Sequence, residues 1–142
     1  MKKLLLLFLS IGFLACSQDK TTKTTEPTSL QMQIDAFIKA DQYTDALTLL
    51  STKEETPEIL KQKEAVHLNY GLFLEYRDSN TTNMRDKMNS ALQQYVEVLK
   101  LNVENQKAIS EIDQIMGIYA TFPNRTPDED VMKELKALGF NY

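Results

Sequence analysis

The chain has 142 residues, of which 42% are hydrophobic and 25% are charged, and its formal net charge at pH 7 is −4. This is the composition of an ordinary globular domain, and the length allows one sizeable core without disulfide bonds. The sequence has no basic stripe and no arginine cluster between aromatic residues, so we expect no nucleic-acid partner. Only four Gly and four Pro, with abundant Ala, Leu, Lys, Gln and Glu, favour helix over strand.

The N-terminal segment has the features of a signal peptide. After Met1 come two lysines and then an apolar run over residues 4–14. The run is too short to cross the ~30 Å hydrocarbon core of a bilayer, so we expect residues 1–15 to be cleaved. The segment ends in Phe-Leu-Ala-Cys at residues 13–16, and Cys16 is the only cysteine. This ending resembles the lipoprotein box of bacterial lipoproteins, with Phe in place of the usual Leu.

The lipoprotein resemblance implies a membrane anchor. The signal peptidase would cut before Cys16, whose thiol would carry diacylglycerol, with palmitate as a further expected acyl group. A multiply acylated cysteine is a firm anchor because each buried CH₂ contributes ~0.8 kcal/mol. By resemblance to sorting rules in some bacteria with two membranes, Ser17 favours the outer membrane of the cell envelope. A plain cleaved signal with an incidental cysteine and an uncleaved signal anchor are the alternatives.

A polar segment separates this anchor from the rest of the chain. Residues 17–29 contain five threonines and no apolar side chain that could join a core. Such a composition predicts disorder, with a reach of roughly 20 Å on average and about 45 Å when fully extended. We therefore expect residues 16–29 to form a flexible tether and residues 30–142 to form one folded domain.

The folded domain is predicted to consist of six helices in three pairs. Apolar residues recur there at steps of three and four, which is typical of amphipathic helices. Thr56 is predicted to cap a helix that has Pro57 in its first turn, Asn102 to cap one that begins at Val103, and Thr126 to open the last. The predicted helices cover residues 30–40, 43–52, 57–77, 88–99, 103–119 and 126–138. Residues 65–76 are apolar on nearly all sides, which predicts a central helix.

Two stretches resemble tetratricopeptide repeats (TPRs). Residues 37–47, FIKADQYTDAL, resemble the turn of a TPR unit, with Ala46 as its small residue. Residues 99–108, LKLNVENQKA, resemble the junction between two units, and Gly71 falls on another small-residue position. The resemblance implies a short all-α solenoid of stacked helical pairs. The segment 77–86 is about eight residues longer than a TPR turn, and a generic helical bundle is the alternative.

The sequence has few residues that could support catalysis or metal binding. His67 is the only histidine, and it has no cysteine or paired carboxylate at metal-ligand spacing. No nucleophile elbow, glycine-rich phosphate loop or zincin motif is present. We therefore predict no catalytic residues, no metal and no cofactor, and we expect a protein that is not an enzyme. Four methionines at core spacing are predicted to be core residues: Met84, Met88, Met116 and Met132.

The TPR resemblance also implies where a partner would bind. Such stacks bind proteins or peptides on the face formed by the first helix of each pair, and an Asn and Lys pair there could hold a peptide backbone or carboxylate. The partner-binding candidates are Lys39, Asn69, Tyr76, Lys107 and Gln114. The leading hypothesis is a lipid-anchored adaptor or assembly protein of the cell envelope. The alternative is a helical-bundle lipoprotein that binds a small apolar ligand in its core.

Overall fold

A computed structural model describes residues 29–142, and this part of the chain folds into six α-helices without a strand. The helices are α1 (Leu30–Lys39), α2 (Tyr43–Ser51), α3 (Pro57–Tyr76), α4 (Met84–Leu101), α5 (Gln106–Ala120) and α6 (Glu129–Ala137). The predicted all-α class with six helices is confirmed. The predictions of a signal peptide, a lipidated Cys16 and all of the tether except Ser29 lie outside the described residues.

Side-chain caps explain where four of the helices begin. The side chains of Ser29, Thr56, Asn83 and Asn105 each accept a hydrogen bond from a backbone N–H in the first turn of α1, α3, α4 and α5. Each bond satisfies a donor that has no partner inside the helix. The predicted start of α3, with its Thr cap followed by Pro57, is confirmed.

The predicted starts of α4, α5 and α6 were wrong by three or four residues, and α4 begins at Met84 because Asn83 caps it. Asn105 caps α5, whereas Asn102 ends α4 and uses its side-chain oxygen to accept from the N–H of Glu104. Helix α6 begins after Asp128 rather than at Thr126. The reason is a tertiary contact, because the Asp128 N–H donates to the Asn89 side chain at 3.3 Å and holds residue 128 in an extended conformation.

Two hydrophobic clusters form the interior, and α3 contributes to both. The first lies among α1, α2 and α3 around Ile34, Leu50 and Val66. The second lies among α4, α5 and α6 around Leu92 and Ile112, and leucines of α3 pack against it. Because α3 has apolar contacts on two sides, its prediction as the central helix is confirmed.

Every extensive helix contact joins elements that are one or two apart in chain order. The contact between α3 and α4 is the largest, and α6 packs on α4. Helices α3 and α4 are antiparallel, since Glu64 near the start of α3 bonds to Asn102 at 2.8 Å and Glu75 near its end bonds to Tyr95 at 2.7 Å. Within residues 29–142, no helix is both long and apolar enough to cross a membrane.

Gly71 sets the distance between α3 and α4. A Cβ atom added at this residue would stand 2.8 Å from Cδ1 and 2.9 Å from Cζ of the Tyr95 ring. Tyr95 is fully buried, so its ring cannot move aside without disturbing the second cluster. The prediction that Gly71 serves close helix packing is confirmed. Gly117 in α5 differs, because a Cβ added there would meet nothing within 4 Å.

These two helical glycines give opposite stability predictions. Gly71→Ala should lower the free energy of unfolding by about 1–2 kcal/mol, because overpacking outweighs the gain in helix propensity. Gly117→Ala, the matched control, should raise it by about 0.5–1 kcal/mol, because only the propensity gain applies. Urea unfolding followed by circular dichroism measures both values. A stabilising Gly71→Ala substitution would contradict the proposed packing.

Candidate functional site

A network of polar side chains joins α3, α4 and α5, and we call it the α3–α5 cluster. Its members are Glu75, Tyr76, Tyr95, Lys107, Glu111 and Gln114. The Tyr76 hydroxyl donates to Glu111 Oε2 at 2.5 Å. The side-chain amide of Gln114 donates to the Tyr76 hydroxyl at 2.7 Å and to Glu75 Oε1 at 3.1 Å.

The two carboxylates of the α3–α5 cluster are fully hydrogen-bonded. The Tyr95 hydroxyl donates to Glu75 Oε2 at 2.7 Å, and Lys107 forms an ion pair with Glu111 Oε1. Glu111 is only 3% exposed. A buried charge is strongly destabilising unless it is paired and hydrogen-bonded. The contacts from Lys107 and Tyr76 therefore offset the free-energy cost of burying the Glu111 carboxylate.

The environment moves the pKa values of the two carboxyl groups in opposite directions. Burial raises the pKa of Glu75, and the nearby charge of Glu111 adds to this, while the hydrogen bond from Tyr95 opposes it. Burial alone would also raise the pKa of Glu111, but the bonds from Lys107 and Tyr76 outweigh it, and the net pKa is lowered. Glu75 therefore holds its proton to a higher pH than Glu111 does.

The structure brings together three of the five predicted partner-binding residues. Tyr76, Lys107 and Gln114 all belong to the α3–α5 cluster. Asn69 lies in the middle of α3 and donates its side-chain amide to the Ala65 carbonyl of the same helix at 2.8 Å. The side chain of Lys39 is exposed in the last turn of α1 and forms no hydrogen bond or ion pair with the cluster or with any other described residue.

The side chains that hold these three residues were not predicted from the sequence. Glu111 follows Lys107 by four residues in a helix, and this spacing is a known signal for an ion pair. The contacts of Glu75 with Tyr95 and Gln114 join residues that are distant in the chain. No local sequence pattern indicates these contacts of Glu75. His67, the only histidine, belongs to α3, and its Nδ1 atom is 2.9 Å from Oε1 of Gln94 in α4.

A second concave surface lies between α5, the turn before α6 and the C-terminal residues, and we call it the α5–α6 groove. Its volume is about 490 Å³, and its lining includes Met116, Gly117, Phe122, Arg125, Met132 and Tyr142. Phe122 and Tyr142 are 47% and 49% exposed. The predicted core role of Met116 is confirmed, but Met84 is 61% exposed, because it opens α4 at the edge of the packed helices.

Comparisons with protein-family models, curated proteins and solved structures give no match to this chain. The resemblances to TPR proteins and to bacterial lipoproteins therefore remain hypotheses that rest on the residues quoted above. The geometry of the α3–α5 cluster and of the α5–α6 groove is the remaining source of functional information.

The opposite pKa shifts predict opposite pH effects for two conservative variants. The proton on Glu75 stabilises the fold fully below the unfolded pKa of 4.5, and this contribution is lost as pH rises through the raised folded pKa. The charge on Glu111 stabilises the fold above 4.5 and is lost as pH falls through the lowered folded pKa. Relative to the wild type, Glu75→Gln should therefore gain stability, and Glu111→Gln should lose it, as pH rises from 4 to 7.

Urea unfolding of the two variants and the wild type at both pH values measures this difference. At pH 7 Glu111→Gln should cost about 1–3 kcal/mol, the usual effect of an impaired buried hydrogen-bond pair. A loss of stability of Glu75→Gln relative to the wild type between pH 4 and pH 7 would contradict the raised pKa of Glu75.

Proposed function

We propose that the protein is a lipid-anchored protein of the bacterial cell envelope whose helical domain binds another protein or a peptide. In this proposal the domain is a short TPR-like stack that acts as an adaptor or assembly factor and not as an enzyme. The contacts between helices one or two apart in chain order support it, because stacked repeats contact chiefly their neighbours. Cys16 and the polar tether support the anchoring.

The observation that carries the binding proposal is the rigid, exposed ring of Tyr76. This side chain is 55% exposed, yet its hydroxyl is fixed by Glu111 and Gln114. A tyrosine held in this way loses little side-chain entropy when a partner covers it. Tyrosines are also enriched among the residues that dominate the binding energy of protein interfaces.

The bonds within the α3–α5 cluster refine the chemistry of the expected partner. Lys107 is already paired with Glu111, and Asn69 is bonded to its own helix. A partner carboxylate would have to displace Glu111 from Lys107, so we do not favour capture of a C-terminal carboxylate here. The ring face of Tyr76 instead favours an apolar or aromatic side chain of the partner.

The anchoring proposal predicts the behaviour of a Cys16→Ser variant. Without the thiol no diacylglycerol can be attached, so the precursor should remain uncut by the lipoprotein peptidase and should incorporate no labelled palmitate. Metabolic labelling and the mass of the purified chain measure both effects. Ser17→Ala is the matched control and should be labelled like the wild type. Normal labelling of Cys16→Ser would exclude Cys16 as the lipid attachment site.

Photo-crosslinking in cells tests the partner-binding surface. A photoreactive amino acid at Ser110, an exposed residue of α5 between Lys107 and Gln114, should give discrete adducts with a protein partner, and one at Lys53, outside this surface, should not. Tyr76→Ala should reduce the adduct yield about tenfold or more, because truncating an interface anchor commonly costs over 2 kcal/mol. Tyr142→Ala is the matched control, since Tyr142 is also exposed and bonded to a carboxylate. Equal losses from both variants would contradict the proposed surface.

A further inference from the structure

At Gly117 no side chain covers the backbone of α5, so this backbone lines the α5–α6 groove. A glycine inside a helix costs about 1 kcal/mol relative to alanine, and close packing is the usual reason to retain it. No such reason exists here, since a Cβ atom at Gly117 would meet only open space. The missing side chain instead deepens the groove between Met116, Met132 and Phe122.

The α5–α6 groove is large enough for a small ligand and is mostly apolar. Its volume of about 490 Å³ falls within the roughly 300–1,000 Å³ that is usual for ligand pockets. Most of the lining is apolar, and two aromatic side chains, Phe122 and Tyr142, are about half exposed at its edges. A ligand that removes apolar surface of this kind from water gains binding free energy.

The lining of the groove has one cation, Arg125, and one anion, Asp113. The Arg125 guanidinium stands 5.3 Å from the centre of the Phe122 ring and forms no ion pair with the described residues. The other charged side chain of the lining, Asp113, already accepts a hydrogen bond from the Tyr142 hydroxyl at 2.6 Å. Arg125 is thus the side chain of the groove that can pair with an anionic ligand, and it lies beside apolar surface.

We propose that the α5–α6 groove binds a small amphipathic anion, with a linear alkyl chain along Gly117 and a carboxylate at Arg125. An alkyl chain fits this lining better than a peptide does. A peptide would bring backbone N–H and C=O groups into a groove whose few polar side chains are Asp113, Arg125, Thr126, Tyr119 and Tyr142, and unpaired backbone groups are costly to bury. This site is separate from the proposed partner surface and does not depend on it.

Calorimetric titration with decanoate tests the proposed site. The full-length protein is placed in lipid nanodiscs, and protein-free nanodiscs give the blank. Decanoate should bind about threefold to fivefold more tightly than decanol, which is the gain expected from one exposed charge pair. Arg125→Gln should abolish the preference for decanoate, and Lys53→Gln, the matched control for loss of an exposed cation, should leave the ratio of the two affinities unchanged.

A second variant separates occupation of the groove from folding. Gly117→Leu should abolish binding of both ligands, because the new side chain projects into open space along the proposed path of the alkyl chain. Gly117→Ala should retain binding of both. Arg125→Gln keeps the test valid if Gly117→Leu fails to fold. Absence of heat above the blank, equal binding of decylamine and decanoate, or unchanged affinities in both variants would overturn the proposal. Binding of an apolar peptide without binding of decanoate would also overturn it.

Discussion

The contact between the Tyr95 ring and Gly71 is the constraint on which the rest of the structure depends. The ring occupies the space where a Cβ atom of any other residue would stand, so α3 and α4, the two longest helices, approach closely. Its position also directs the Tyr95 hydroxyl to Glu75. Glu75 in turn bonds to Gln114, so the same contact fixes α5 beside α3. One small residue thereby determines both the helix spacing and the geometry of the candidate binding surface.

The α3–α5 cluster places two carboxyl groups close together in environments that differ. Glu111 receives the cationic bond from Lys107 and is stabilised as the anion. Glu75 has no cation, is partly buried and holds its proton to a higher pH. The hydrogen bonds of the cluster orient the Tyr76 side chain while leaving its ring open to a partner.

The helices could be predicted from the sequence because each has one apolar stripe and, in most cases, a capping residue that acts locally. Thr56 and Pro57 are such local signals, and they placed the start of α3 correctly. The start of α6 could not be predicted in this way, since it is set by the bond from the Asp128 N–H to Asn89, a residue in another helix. Three of the five partner-binding candidates meet in space because Tyr76 bonds to Glu111 and Gln114 bonds to Glu75, and no local sequence pattern indicates these contacts between helices.

Helix α5 explains how the two surfaces can exist side by side. Residues 107, 111 and 114 are spaced by four and three, so they share the face that meets α3. Ile112, Ile115 and Tyr119 share the face that enters the core. Gly117 falls on neither face and lines the groove. Because the core and the α3–α5 cluster hold the helix on two sides, a residue with poor helix propensity is tolerated on the third side, where its small size leaves room for a ligand.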